Sequence, residues 1–365
     1  MKKIISIVML IALSVIIFPN VRVYATEEIG VKYAVYDGFD LICELTDVEV
    51  DDEYVSKDFK LYRIVDVDPV HLVAQAVFAR QLERPRVTRS NEPSNIGAVV
   101  KNIGLYMTHN DESYVPTDGT ESVYGAGGIH DVAKSFKAAL EKKGINVVLD
   151  ETLHIPHNSS AYSRSSVTAK KLLDENDLNA IFDVHRDGAS RSFYVTKYNG
   201  QEKCHVRMVV GKASSNYKTT LEFATYLMAV GQEMYPWLFS DIYLAKGHYN
   251  QGLSTKALLF EMGSHLVEKE LVEESLPALA DVINTTLFGT VVDNNEGNLT
   301  INGNETPTST TVDQHFKDLE KIKEKTHSLW GTFGLIVVIM SVIAMVIFFG
   351  YNFRNNMLRK RKNKK

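Results

Sequence analysis

The stretch AIFDVHRD at residues 180–187 gives the most direct indication of the fold. Residues 180–184 form a short, mostly apolar run, which is typical of a strand buried on both faces of a sheet. His185 follows this run at once, and Arg186 and Asp187 follow His185. The stretch therefore predicts a buried strand with ionisable side chains at its carboxyl end.

Two other apolar runs lead into reactive side chains in the same way. Residues 103–107 precede Thr108 and His109, and residues 257–260 precede Glu261. In open α/β sheets the ligand site lies just beyond the carboxyl ends of the strands. We therefore expect two histidines and one glutamate to converge at one edge of a sheet, as in a metal-assisted hydrolase.

Strand and helix patterns alternate between residues 97 and 293. This alternation predicts an α/β catalytic domain with a mostly parallel sheet and helices on both faces. The predicted helices span residues 131–143, 163–175, 217–234 and 266–287, and further strands span residues 146–149 and 206–210. Residues 26–96 have a β-rich pattern without a chemical motif and end in a polar linker that contains prolines. They predict a small accessory module.

The composition excludes several classes of protein. The chain has 365 residues and a net charge of −5, so it lacks the basic character of a nucleic-acid-binding protein. Its two cysteines, Cys43 and Cys204, are far apart and form no CxxC motif. This spacing argues against both a disulfide scaffold and a cysteine metal site.

Both ends of the chain carry membrane signals. Residues 1–25 combine two lysines with an apolar run and small residues, which predicts a signal peptide or an N-terminal anchor. Residues 329–351 are uncharged and long enough to span a bilayer as a transmembrane helix. The basic tail at residues 352–365 is then cytoplasmic, which places the catalytic domain outside the cell membrane. Residues 294–328 have the polar composition of a flexible tether.

Three histidines are the candidate metal ligands. His109 and His185 follow predicted strands, and His130 follows the glycine-rich run at residues 125–128. Three imidazoles and one water would complete a tetrahedral catalytic Zn²⁺ site. Glu261 would then act as general base and afterwards as general acid, although a carboxylate at a helix start would explain it equally well. Arg186 is the candidate for stabilising the oxyanion.

Four motifs carry a resemblance to a known family. Residues 108–114, 183–187, 249–254 and 258–264 resemble the stage II sporulation protein P family of endospore-forming bacteria. The similarity extends over about residues 97–293, and the family resembles zinc-dependent N-acetylmuramoyl-L-alanine amidases in fold.

The resemblance implies a function and a set of site residues. It implies cleavage of the amide between N-acetylmuramic acid and the stem peptide of peptidoglycan, and of peptide cross-links, during engulfment. The implied partners are a lytic transglycosylase and a membrane scaffold protein, and family members carry an N-terminal anchor where this chain has a C-terminal span. By position, His109 and His185 match metal ligands, and Glu261 matches the catalytic carboxylate. His130 stands where the related amidases place a glutamate ligand, so Glu112 and Glu121 are alternative second ligands.

Two other functions remain open at this point. A membrane-anchored zinc carboxypeptidase or peptidase could use the same side chains. A non-catalytic wall-binding ectodomain would need none of them, and the set of three histidines with Glu261 argues against it.

Overall fold

The computed structural model describes residues 31–87 and 100–289, and an eleven-stranded sheet runs through both ranges. Its strands are β1 Lys32–Asp37, β2 Asp40–Thr46, β3 Glu53–Ser56, β4 Lys60–Asp68, β5 Val73–Gln81, β6 Asn102–Tyr106, β7 Asn146–Leu149, β8 Ala180–Asp187, β11 Val206–Gly211, β12 Phe239–Ala245 and β13 Ala257–Ser264. In space they follow the order β2-β1-β5-β4-β3-β12-β11-β13-β8-β6-β7. A separate hairpin pairs β9 Val195–Tyr198 with β10 Gln201–Cys204.

The sheet as a whole is mixed, but the prediction of a mostly parallel sheet was made for residues 97–293, and four of the five neighbouring strand pairs in that range are parallel. Five neighbouring strand pairs are parallel and five are antiparallel. Parallel pairing dominates around β8, where β6, β7 and β13 all run in its direction. Among the N-terminal strands, short connections such as the one between β1 and β2 join antiparallel neighbours, because a parallel pair needs a long crossover.

The predicted accessory module is β-rich where it is described, but its strands continue the same sheet. β3 pairs antiparallel with β12, and β4, β5, β1 and β2 follow outward from it. An apolar cluster joins Val35 and Leu45 of these N-terminal strands to Val209 of β11 and Leu259 of β13. The N-terminal strands therefore share a core with the strands that carry the predicted site.

The four predicted helices are present close to their predicted positions, although the last is divided, and two short helices at residues 115–118 and 191–194 were not predicted. They are α1 Val115–Asp118, α2 Ile129–Glu141, α3 Ala161–Glu175, α4 Arg191–Tyr194, α5 Tyr217–Met234, α6 Lys269–Glu273 and α7 Leu276–Phe288. The helix predicted at residues 217–234 has those bounds, whereas the one predicted at residues 266–287 is divided into α6 and α7. The division lies just before Pro277, which sits in the first turn of α7, where its missing N–H costs no hydrogen bond.

The two faces of β8 have different neighbours, because successive side chains alternate across a strand. The Phe182 ring is packed near Phe136 of α2, Phe223 of α5 and Phe260 of β13. Ile181, on the other face, belongs to a cluster with residues of α3. Helices thus cover both faces, and alternation places Asp183 and His185 on the Ile181 face.

Several predicted segments lie outside the described residues. They are residues 1–25, residues 294–328, the transmembrane helix at 329–351 and the basic tail at 352–365. Within residues 31–87 and 100–289, none of the helices combines the length and apolar character needed to cross a bilayer.

Candidate metal centre

Two of the predicted site residues lie within strands rather than beyond them. β8 continues through His185 to Asp187, and β13 continues through Glu261 to Ser264. His185 is directly opposite Glu261 in the parallel register of these strands. The prediction that both strands stop before these residues is wrong, because the polar ends of the two strands remain paired up to Asp187 and Ser264.

Three side chains converge beside this pair of strands. His109, Glu112 and His185 each offer a ligand atom, and these atoms all lie within 4.8 Å of one another. Glu112 Oε1 is 3.1 Å from His109 Nδ1 and 3.2 Å from His185 Nδ1. Two imidazoles and one carboxylate are a common ligand set of catalytic zinc, which leaves a fourth position for water. The donor set therefore fits the predicted Zn²⁺.

The loop after β6 is built to hold Glu112 in this group. The backbone of Glu112 forms an isolated antiparallel β-bridge with that of Ser122. The Glu112 Oε2 atom accepts a hydrogen bond from the Arg186 backbone N–H at 2.9 Å. The Arg186 guanidinium donates to the carbonyls of Ser113 and Glu121. Arg186 therefore positions the Glu112 loop, which is a different role from the oxyanion contact predicted for it.

The glycine-rich run at residues 125–128 brings α2 against the same loop. A Cβ atom on Gly127 would lie 2.1 Å from the Glu112 carbonyl oxygen, so a larger residue cannot stand there without moving the loop. Ile129 N–H donates to that carbonyl oxygen at 3.0 Å. The run thus supports Glu112 through backbone contacts.

His130, which the sequence predicts as a ligand, is not part of this group. It lies in the first turn of α2, and its Nδ1 is 3.0 Å from Glu151 Oε1. Glu121 is also outside the group, and its carbonyl accepts from Arg186. Of the two alternative second ligands, the structure places Glu112 with His109 and His185.

Burial and charge set the protonation of the group. Burial lowers the pKa of His109 to about 4. Burial also opposes the charge on His185, but the carboxylates of Asp183 and Glu112 outweigh it and raise the pKa of His185 well above its usual value. The same pairing holds the pKa of Glu112 well below its usual range despite its burial. Since a metal binds neutral imidazole, zinc binding would have to release the proton of His185.

Glu261 has the environment of a proton-transfer group. Burial raises the pKa of Glu261 to about 8, and the nearby Asp187 carboxylate adds to this effect. Its Oε2 is buried and has no hydrogen-bond partner among the described residues. A buried carboxyl group of this kind can gain and lose a proton near neutral pH.

A buried ion cluster beneath Glu261 is absent from the sequence-based prediction. Arg207 is directly opposite Glu261 in the β11–β13 pair and is 1% exposed. Its guanidinium is 2.7 Å from Asp187 Oδ2 and 2.7 Å from Asp241 Oδ1, and it lies 4.5 Å above the Phe193 ring. An arginine within an apolar strand is the signal that could have revealed this cluster.

A cavity of about 350 Å³ opens beside the group. His109, Glu112, His185 and Glu261 all line it. His157 also lines it, and the His157 ring stacks on that of His109 with 3.7 Å between centroids. The three candidate metal ligands and the Glu261 carboxyl group therefore face one ligand-sized space.

Tyr114 links the loop after β6, which carries Glu112, to β13. Its hydroxyl is buried and donates to the Met262 carbonyl at 3.0 Å. We expect Tyr114→Phe to lower the free energy of unfolding by about 1–3 kcal/mol, because a buried carbonyl loses its donor. Denaturant unfolding of both proteins measures this change. An unchanged midpoint and slope would show that the bond contributes nothing.

Comparison with known proteins points to one family. The family model described as Stage II sporulation protein P (SpoIIP) matches residues 74–284, which is more than half of the chain. The chain is also 29% identical over 200 residues to "Stage II sporulation protein P" of Bacillus subtilis (strain 168). That match covers 50% of this chain and 50% of the relative, so it spans about half of the relative's length.

Similar solved structures include amidases at low similarity. The CwlD amidase of Clostridioides difficile has a TM-score of 0.37 and 13% identity, over 51% of this chain and 98% of that chain. An N-acetylmuramoyl-L-alanine amidase of Clostridium difficile 630 has a TM-score of 0.32 and 11% identity, over 51% and 94% of the two chains. Likeness at these values carries no argument about activity.

Proposed function

Because the chain belongs to the Stage II sporulation protein P family, we propose that it is a zinc-dependent peptidoglycan hydrolase that acts during sporulation. The observation that carries this proposal is the convergence of His109, Glu112 and His185 beside the buried carboxyl group of Glu261. A site with these donors and a separate proton-transfer group is equipped to hydrolyse amides.

His109, Glu112 and His185 would hold the metal ion, with Glu112 in place of the predicted His130. When bound, Zn²⁺ supplies a Lewis acid that lowers the pKa of water and polarises a carbonyl oxygen. Arg186 keeps Glu112 in position, and the stacked His157 ring restricts His109.

Glu261 would move the proton. It accepts a proton from the attacking water as the water oxygen bonds to the amide carbon. It then returns that proton to the amide nitrogen as the C–N bond breaks, so that an acid and an amine leave. Burial raises the pKa of Glu261, which helps this carboxyl group both to accept and to return a proton.

The proposed scissile bond is the amide between N-acetylmuramic acid and the stem peptide, with peptide cross-links as a second substrate. The proposed setting is the sporulation septum, with a lytic transglycosylase and a membrane scaffold protein as partners in engulfment. The charge pattern of the two ends supports a catalytic domain held outside the cell membrane by a single C-terminal pass. The net charge of −5 gives no support to nucleic acid as a partner.

Digestion of purified sacculi tests the proposal. We expect the chain to release peptides from sacculi. This release should stop after exhaustive chelation and resume on addition of Zn²⁺. Mass spectrometry of the products should find free lactyl groups on muramic acid and new amino termini on the stem peptides. Release that survives complete metal removal would contradict the proposal.

The same digestion separates the two alternatives. Free amines within stem peptides, with the muramic acid amide intact, would favour a zinc carboxypeptidase or other peptidase. Binding to sacculi without any released product would favour a wall-binding ectodomain.

A further inference from the structure

The end of β2 and the connection between β2 and β3 supply one wall of the cavity at the candidate metal centre. Thr46, Asp47, Glu49 and Asp52 line it from this side. All four precede residues 74–284, the segment that matches the family model. Thr46 Oγ1 donates to Asp187 Oδ1 at 2.7 Å, so this wall contacts a group beside Glu261. The wall is placed to contact whatever occupies the cavity.

The acidic residues of this wall differ in how their carboxylates are satisfied. Glu49 Oε2 is 2.8 Å from the Lys246 ammonium, and Asp47 Oδ1 accepts from the Val31 N–H at 2.6 Å. Asp52 is 2% exposed, and its Oδ2 accepts from the Glu49 N–H and from the Tyr243 hydroxyl, each at 2.8 Å.

Asp52 Oδ1 is the acceptor without a donor. It is buried and has no hydrogen-bond partner in the part of the chain that the structure describes. Leaving such an oxygen unpaired is unfavourable. Burial raises the pKa of Asp52, although the hydrogen bonds from Glu49 and Tyr243, and to a lesser extent the Lys246 charge, partly offset this. A carboxylate oxygen kept in this state at a cavity wall has the chemistry of a recognition group for a cationic donor.

We propose that Asp52 recognises a primary ammonium group of the substrate through Oδ1. The proposal rests on the proposed function, since the stem peptides of peptidoglycan carry a diamino acid whose side chain can present this group. An ammonium is a compact point charge with donors only, so it can pair with the single carboxylate oxygen that has no donor. A guanidinium would seek both carboxylate oxygens, and Oδ2 is already occupied.

Binding of two matched muropeptides tests this inference. The probes are a disaccharide-peptide with a free side-chain amine on its diamino acid and the same molecule N-acetylated at that amine. The protein is the full-length chain carrying Glu261→Gln, which binds without turnover, and calorimetry gives both Kd values. We expect the free amine to bind about 10–100-fold more tightly, as for a hydrogen bond to a charged group in a buried site.

Adding Asp52→Asn should lower that preference to about twofold or less, mainly by weakening binding of the free amine. Asn keeps one carbonyl oxygen for the Glu49 N–H and the Tyr243 hydroxyl, so the fold should be preserved, which thermal unfolding checks. The matched control is Asp51→Asn, an identical change one residue away. Asp51 is exposed and has a φ of 73°, which Asn tolerates. Asp51→Asn should therefore leave the preference for the free amine unchanged.

Three outcomes would overturn the inference: equal binding of the two muropeptides without the Asp52 change, an unchanged preference in Asp52→Asn, or an equal loss in Asp51→Asn. The comparison of the two muropeptides needs no change at Asp52, so it tests the inference even if Asp52→Asn does not fold. The proposed function fails separately, when the unaltered chain releases nothing from the free-amine muropeptide with Zn²⁺ present. If the preference for the free amine were still observed in that case, recognition by Asp52 would stand and only the proposed hydrolase function would be rejected.

Discussion

Replacing Glu261 with Gln is expected to lower kcat on muropeptides by about 10²–10⁴-fold, which is the usual contribution of a positioned general acid–base. Gln has the size of Glu but cannot take a proton from water or return one to the departing amine. Glu261 is not one of the three grouped side chains that are proposed to hold the metal, so the zinc content should remain that of the unaltered chain. A large loss of kcat with full zinc is the signature of a proton-transfer residue.

The measurement pairs steady-state kinetics with metal analysis of the same preparation. Glu274→Gln is the matched control, because Glu274 is exposed and carries the same substitution. It should change neither kcat nor zinc content. Glu261→Gln with unchanged kcat would refute the assignment, and a parallel loss of zinc would make Glu261 a ligand instead.

The sequence pattern was informative where the physics is local. The helix at Tyr217–Met234 and the strand at Asn146–Leu149 have the predicted bounds, because hydrophobic periodicity determines each within its own segment. The placement of His109 and His185 in one group was also anticipated, since two parallel strands bring their carboxyl ends together.

The remaining features depend on contacts between distant segments. The pairing of β3 with β12 joins the N-terminal strands to the central sheet, and no pattern within either strand specifies its partner. Strand β12 was not predicted, and neither was the Arg207 cluster, whose partners Asp187 and Asp241 lie in two other strands. Such pairings follow from tertiary packing, which overrides local propensity.

The choice of the second ligand shows the same limit. His130 and Glu112 both stand in polar or glycine-rich segments near His109, and residue type favoured the histidine. The structure distinguishes them because the loop after β6 folds back through the Glu112–Ser122 bridge and directs Glu112 toward His185. His130 begins a helix and is paired with Glu151. Loop conformation therefore decides which side chain joins His109 and His185, and spacing alone could not.

The proposed ligand set gives the second large expected effect. Glu112→Gln should weaken zinc binding by more than about 100-fold, because even the loss of an outer-shell partner costs 10–100-fold. It removes the carboxylate that lies 3.1 Å and 3.2 Å from the two imidazoles, and with it the charge that complements the cation. Hydrolysis at limiting Zn²⁺ should fall in parallel.

His130→Gln is the contrasting variant, because it changes the residue that the sequence favoured over Glu112. Its ring faces Glu151, so zinc affinity should stay within about twofold of the unaltered chain, well below the cost of losing even an outer-shell partner. Competition with a chromophoric chelator measures both affinities, and circular dichroism checks that each variant is folded. If His130→Gln loses zinc and Glu112→Gln retains it, the imidazole is the second ligand and the group at His109 must rearrange when metal binds. If both variants lose zinc, α2 and the loop that carries Glu112 act as one unit. The hydrogen bond from the Ile129 N–H to the Glu112 carbonyl would then couple the two segments.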